Sequence, residues 1–264
     1  VPLVIAPGPF AFYSSRLIFL TTSPPAMRAS PVEVINAVVP PALQSFDPRE
    51  VPPIGVDSGL PAVDPAQLGA RALRARFATP PAWTPEVRRE PRLFDRAPAQ
   101  AAVLVPIVMR EQPTVLLTER SSHLKNHSGQ VAFPGGRVDP EDANIAAAAL
   151  REAWEEVGLS ADYIEILGSL PTYTTVTSFI VTPVVALVRP GFALNLNPYE
   201  VEEAFEVPFA FLMDPANHRR HAMVGEDATA REWLSMPYQD GPHERFVWGA
   251  TAGMLRNLYR FLSA

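Results

Sequence analysis

The chain has 264 residues, long enough for one large domain or for a domain with a sizeable extension. Hydrophobic residues make up 47% and charged residues 19%, so a well-filled core is expected, while a net charge of −6 argues against the basic footprint of a non-specific nucleic-acid binder. That charge still admits a small phosphorylated substrate, because a bound cation inverts the local sign. The chain has no cysteine, which removes disulfides, zinc-thiolate sites and cysteine nucleophiles.

Near the N-terminus lies the apolar stretch Leu17-Ile18-Phe19-Leu20, far short of the roughly 18 residues of a membrane-spanning helix. Pro7 and Pro9 break up the stretch before it, which fits a secretory signal poorly. The expectation is that Val1 is an alternative start read literally, that the natural chain begins at Met27, and that residues 1–26 are disordered. A cytoplasmic protein without membrane contact follows from the same reading. Residues 1–100 hold 18 of the 30 prolines, which forbids long helices and central strands there. Residues 1–64 are therefore expected to form a proline-rich, largely disordered extension, and residues 65–264 the domain. Short helices are expected over 32–46 and 65–77. The second spaces Leu68, Leu73 and Phe77 near helical period and leaves Arg71, Arg74 and Arg76 to solvent.

From Ala101 the pattern changes. Strands are expected over 101–109 and 114–118, joined at Gln112-Pro113, and over 130–133, ending at Pro134-Gly135-Gly136. The strongest helix signal covers 142–157, where Ala146 to Leu150 are good formers and Gly158 is a natural stop. Further strands are expected over 164–170, 179–188 and 231–238, a short helix over 207–213, and a C-terminal helix over 249–262. Strands and helices are mixed without regular alternation, which predicts an α+β chain or an α/β/α sandwich.

Arg151-Glu152-Ala153-Trp154-Glu155-Glu156 carries the chemistry. On a helix, Glu152, Glu155 and Glu156 share a face, and three ionised carboxylates so close need a cation or open solvent. An all-oxygen cluster favours Mg²⁺, Mn²⁺ or Ca²⁺. Arg151 stands four residues before Glu155 and can pin it. Gly135 and Gly136, just upstream, allow backbone to approach a phosphate or a metal closely.

These residues resemble the Nudix hydrolase box, G-x5-E-x7-R-E-U-x-E-E-x-G-U, where U is a bulky aliphatic residue. Gly136 matches its first glycine, and Arg151, Glu152, Glu155, Glu156, Gly158 and Leu159 match its second half. The loop is one residue longer than the standard spacing, and Asp142 or Glu141 stands for the first glutamate. The preceding stretch, with Leu116-Leu117-Thr118, Arg120, Ser121, Lys125, Gly129 and Phe133-Pro134-Gly135-Gly136, resembles the coenzyme A diphosphatase subgroup, with Lys125 in place of an arginine. The Trp248-Gly249-Ala250-Thr251-Ala252-Gly253-Met254-Leu255 stretch is also similar to that subgroup. The likeness covers about residues 65–264.

The resemblance implies a Nudix α/β/α sandwich with a mixed sheet, acting as a monomer or homodimer on a small nucleotide of the coenzyme A class. It implies hydrolysis of the diphosphate to 3′,5′-ADP and 4′-phosphopantetheine. Mg²⁺ or Mn²⁺ would be held by Glu152, Glu155 and Glu156 with the Gly136 carbonyl, and Arg151 would complete the catalytic group. Arg120, Ser121, Lys125 and Gly135 are the expected substrate contacts. The general base is a box glutamate, Glu156 or Glu152, or else a later carboxylate, with Glu200 and Glu203 ahead of Glu202. NADH, ADP-ribose or a damaged nucleoside triphosphate are the alternative substrates, and a non-catalytic module on the same scaffold is the alternative of another class. Trp154 is expected to pack, and His218-Arg219-Arg220-His221 to be an exposed loop.

Overall fold

A computed structural model describes residues 47–90, 97–122, 129–224 and 230–264. The helix expected over 32–46 lies outside the described residues. In chain order the elements are β1 (Gly55–Val56), α1 (Ala70–Ala78), β2 (Ala99–Val108), β3 (Thr114–Arg120), β4 (Val131–Ala132), β5 (Gly135–Arg137) and α2 (Ile145–Val157). They continue with β6 (Ile164–Ser169), β7 (Tyr173–Thr174), β8 (Phe179–Val188), β9 (Val201–Pro208), the single turn α3 (Phe209–Leu212), β10 (Arg219–Val224), β11 (Ala230–Asp240), β12 (His243–Trp248) and α4 (Gly249–Leu262).

The fold is organised by β2 and β8, which run parallel in register from Ala99 opposite Phe179 to Val108 opposite Val188. Both are nearly continuous apolar runs because both faces of the sheet are covered. Alternation sends Ala102, Leu104, Val108, Val184 and Ala186 to the face under α2. It sends Val105, Ile107, Val181, Val185 and Leu187 to the opposite face, where α1 and α4 contribute Leu73, Leu255, Leu258 and Phe261. The sheet is mixed and carries helices on both faces, as the α+β expectation required. A smaller antiparallel sheet, β1-β10-β11-β12, adjoins α4.

Several elements differ from expectation. β9 occupies a stretch read as loop, and only Phe209–Leu212 of the expected 207–213 helix is helical. Val207 instead closes the β9 ladder opposite Val115 of β3. β10 and β12 are strands that the charged sequence concealed. The expected exposed loop at 218–221 is buried at both histidines, because each ring has a partner: His218 Nε2 faces the Leu212 carbonyl at 2.9 Å and His221 Nε2 faces Ser235 Oγ at 2.8 Å. On the extension side of residue 64, the Ile54 N–H donates to the Arg220 carbonyl at 2.8 Å, and Val63 enters the core.

Candidate active site

The acidic helix is placed by its two ends. Asn144 caps the start of α2, its side-chain oxygen accepting from the Ala147 N–H at 2.9 Å, so the helix begins three residues later than the expected Asp142. Gly158 ends it at φ 67°, and a Cβ there would stand 2.9 Å from Asn195. Ala148, Ala149, Ala153 and Val157 face the sheet. Their small size lets the helix lie low enough for Glu152 and Glu156 to reach the β5 backbone. A Cβ on Gly136 would sit 2.6 Å from the carboxyl carbon of Glu152, and one on Gly135 would strike the backbone of β2. Only glycine fits at 135, where backbone stands in the way, whereas a methyl at 136 would push the Glu152 carboxylate aside.

Arg151 ties the helix to the loop before it. Its guanidinium donates to both oxygens of Asp142 (3.0 and 2.9 Å), to Glu152 and Glu155 (3.0 Å each) and to the Arg137 carbonyl (3.1 Å). Asp142 also accepts from the Asp139 N–H at 2.8 Å, and the Arg151 guanidinium holds its carboxyl below the usual range. Glu141 is exposed, so Asp142 is the residue that answers the arginine despite the longer loop.

The three glutamates do not share one environment. The side chain of Glu156 is 5% exposed, that of Glu152 14% and that of Glu155 53%. Glu156 accepts from the Gly135 N–H at 3.1 Å, and Arg120 Nη1 lies 3.8 Å away. Burial pushes Glu156 up to about 8, against the pull of Arg120 and the Gly135 N–H, and Glu152 and Glu200 push it further. Burial likewise pushes Glu152 up to about 7, opposed by Arg151 and reinforced by Glu155 and Glu200. Without a cation beside them, both buried glutamates therefore tend to hold a proton near neutral pH.

The two later carboxylates separate. Glu200 acts on both buried glutamates, and its carbonyl accepts from the Ser121 N–H at 2.9 Å. Glu203 is gripped by Arg245 at 2.7 and 2.8 Å, which holds it below the usual carboxylate range. Of the expected substrate contacts, Arg120 ends β3 with its side chain 32% exposed, Ser121 is buried, and Gly135 spends its N–H on Glu156. Lys125 lies outside the described residues. Trp154 does not pack as expected but is 60% exposed, because it stands on the outer surface of α2. Sequence reasoning missed the turn from Asn195 to Asn197, whose N–H groups donate to the Val157 and Glu156 carbonyls at 2.9 Å. The Asn-Leu-Asn-Pro wording is its only signal.

The NUDIX domain family model matches residues 98–233. A protein of Shigella flexneri serotype 5b (strain 8401), named uncharacterized Nudix hydrolase NudL, is 45% identical over 174 residues, covering 66% of this chain and 86% of that protein. One of the same name from Enterobacter sp. (strain 638) is 46% identical over 159 residues, covering 60% and 80%. Among solved structures, a C. elegans Ap4A hydrolase binary complex is 21% identical with a TM-score of 0.37, covering 45% of this chain and 85% of that one. The NUDIX domain of Shewanella oneidensis NrtR complexed with ADP ribose is 23% identical with a TM-score of 0.35, covering 44% and 75%. This chain belongs to the Nudix family. It is a Nudix hydrolase, an enzyme acting on the phosphoanhydride bond of nucleoside diphosphate derivatives, and such hydrolases generally use divalent metal ions.

The residues present fit such an ion in chemistry. The donors are all oxygen, two of the carboxylates are largely buried, and the missing side chain of Gly136 lets the Glu152 carboxylate lie against the β5 backbone. Among the described residues no three acidic or histidine side chains close around a single point, because Arg151 draws Glu152 and Glu155 toward itself. Among the same residues, no helix is long and apolar enough to cross a membrane.

Proposed function

We propose that this enzyme hydrolyses the diphosphate of coenzyme A or a coenzyme A derivative, giving 3′,5′-ADP and 4′-phosphopantetheine or its acylated form. The observation that carries the reading is the pair of buried carboxylates, Glu152 against Gly136 and Glu156 on the Gly135 N–H, at the point where the Leu116–Gly136 stretch returns to the acidic helix. Glu152, Glu155, Glu156 and the Gly136 carbonyl would hold Mg²⁺ or Mn²⁺. When bound, the ion neutralises the diphosphate and makes its phosphorus easier to attack.

The chain's own residues supply the rest. Arg120 meets a phosphate oxygen of the substrate with the part of its guanidinium that Glu156 leaves free. Arg151 and Asp142 lock the glutamates in place. Glu200 accepts a proton from the attacking water, since Glu203 is already bound to Arg245. The water oxygen bonds to one phosphorus, the bond from that phosphorus to the bridging oxygen breaks, and the other phosphate leaves with the electron pair. A panel of coenzyme A, NADH and ADP-ribose, each with and without Mg²⁺ or Mn²⁺, tests the reading through kcat/KM. Coenzyme A should lead, and only with metal. Preference for NADH or ADP-ribose would overturn the substrate and leave the class standing.

A further inference from the structure

Among the described residues six large apolar side chains are exposed: Ile54, Val56, Trp154, Ile166, Tyr199 and Val224. Five stand away from the carboxylates. Ile54 and Val56 belong to β1 and its approach, Ile166 to β6 and Val224 to the end of β10. Trp154 lies about 200° round α2 from Glu152. Tyr199 differs: it directly precedes Glu200, whose charge reaches both buried glutamates.

The backbone around Tyr199 is fixed from both sides. The Asn197 N–H donates to the Glu156 carbonyl on α2, and the Ser121 N–H, just past Arg120 on β3, donates to the Glu200 carbonyl, both at 2.9 Å. Within the turn, the Glu200 and Val201 N–H groups donate to the Asn197 carbonyl at 3.0 and 2.9 Å. The Tyr199 N–H donates to Asn197 Oδ1 at 3.2 Å. The ring is thus presented from a pre-ordered turn between the acidic helix and the arginine strand, yet it is 82% exposed. Among the described residues its ring makes no hydrogen bond or ring contact. A substrate of the nucleoside diphosphate class carries a flat base joined to the phosphates that this site holds. An aromatic ring carried on an ordered backbone binds such a base by its π-face at reduced entropic cost.

We propose that Tyr199 is the stacking platform for the nucleobase of the substrate and sets the affinity for its nucleoside end. This rests on the nucleoside diphosphate class of the reaction and not on coenzyme A as the substrate. The test therefore uses whichever diphosphate the wild-type enzyme turns over fastest. Tyr199→Ala should raise KM by roughly 5- to 150-fold with kcat within about twofold, the range that loss of one base–aromatic stack produces. Tyr199→Phe should restore wild-type KM. ADP should lose affinity as a competitive inhibitor of Tyr199→Ala to the same extent, whereas inorganic diphosphate, which has no base, should inhibit both proteins equally. An unchanged KM in Tyr199→Ala overturns the proposal. So does a fall in kcat alone, which would mean that the turn only positions Glu200. Failure of the phenylalanine variant to rescue overturns it too, by assigning the effect to the hydroxyl.

Discussion

Two clusters of arginine and carboxylate lie in this molecule, built from the same groups to opposite ends. On α4, Arg256 is 1% exposed; it donates to Glu86 at 2.8 Å and to His218 Nδ1 at 3.0 Å. It also lies 3.0 Å from Asp57 Oδ2, an approach of opposite charges without hydrogen-bond alignment. Arg220 completes the group through Asp57 at 2.8 Å and Glu86 at 2.5 Å. Burial pushes Glu86 and Asp57 up, but the arginines outweigh it and hold both below the usual carboxylate range. On α2, Arg120 and Arg151 face Asp142, Glu152, Glu155 and Glu156, with Glu200 close by, and the buried glutamates are pushed up. In the first cluster the cations match or outnumber the carboxylates, since Arg260 also lies 3.9 Å from Glu86, and the result is a strut. In the second the carboxylates outnumber the cations, since Asp139 also lies 3.7 Å from Arg151, and such a site favours a further cation.

Four substitutions separate the strut from the site. Arg256→Met keeps the bulk but leaves Asp57 and Glu86 to Arg220 alone and His218 Nδ1 without its donor, so unfolding in urea should show a loss of about 3 kcal/mol while the folded fraction keeps its turnover. Reduced kcat in that fraction would join the two clusters functionally. Glu156→Gln should do the reverse, with kcat in Mg²⁺ or Mn²⁺ falling roughly a hundred- to a thousandfold and the melting temperature holding or rising. Unchanged turnover would remove Glu156 from the metal set. Gly136→Ala places a methyl against the Glu152 carboxylate, and kcat should fall about ten- to a hundredfold with little loss of stability.

The smallest effect concerns pH. His218 is neutral in the fold, with Nε2–H donating to the Leu212 carbonyl and Nδ1 accepting from Arg256. Burial lowers it to about 4. The unfolded chain takes up the proton first, so stability is complete above about 6.5 and is lost as pH falls toward about 4. The loss at pH 5.5 should be about 1.4 kcal/mol, and His218→Gln should flatten that part of the profile. An unaltered profile would show that His218 is not the group titrating there.

The legibility of the sequence followed the same division. β2, β8 and α4 could be read from their apolar runs, and the α2 acids from their spacing. β10 and β12 could not, because His221 and Arg245 are buried, and Arg220 half-buried, only by virtue of partners distant in sequence, Ser235, Glu203 and Asp57. Glu206 and Glu203 masked β9 in the same way, since each is claimed by an arginine from elsewhere, Arg110 or Arg245. Local pattern shows what a residue prefers when it stands alone. Pairing across the fold decides which charges go inside. The choice between Glu200 and Glu203 needed that pairing, as did the choice of Asp142 over Glu141.

The parallel ladder of β2 and β8 has a kinetic consequence. Ala99 pairs with Phe179, 80 residues further on, and α2 lies wholly inside the loop which that pairing closes. Closing so long a loop is slow, and the sheet face that seats the acidic helix does not exist until it happens. During refolding, helical signal should therefore return before activity does, with the interval set by the closure of that one ladder.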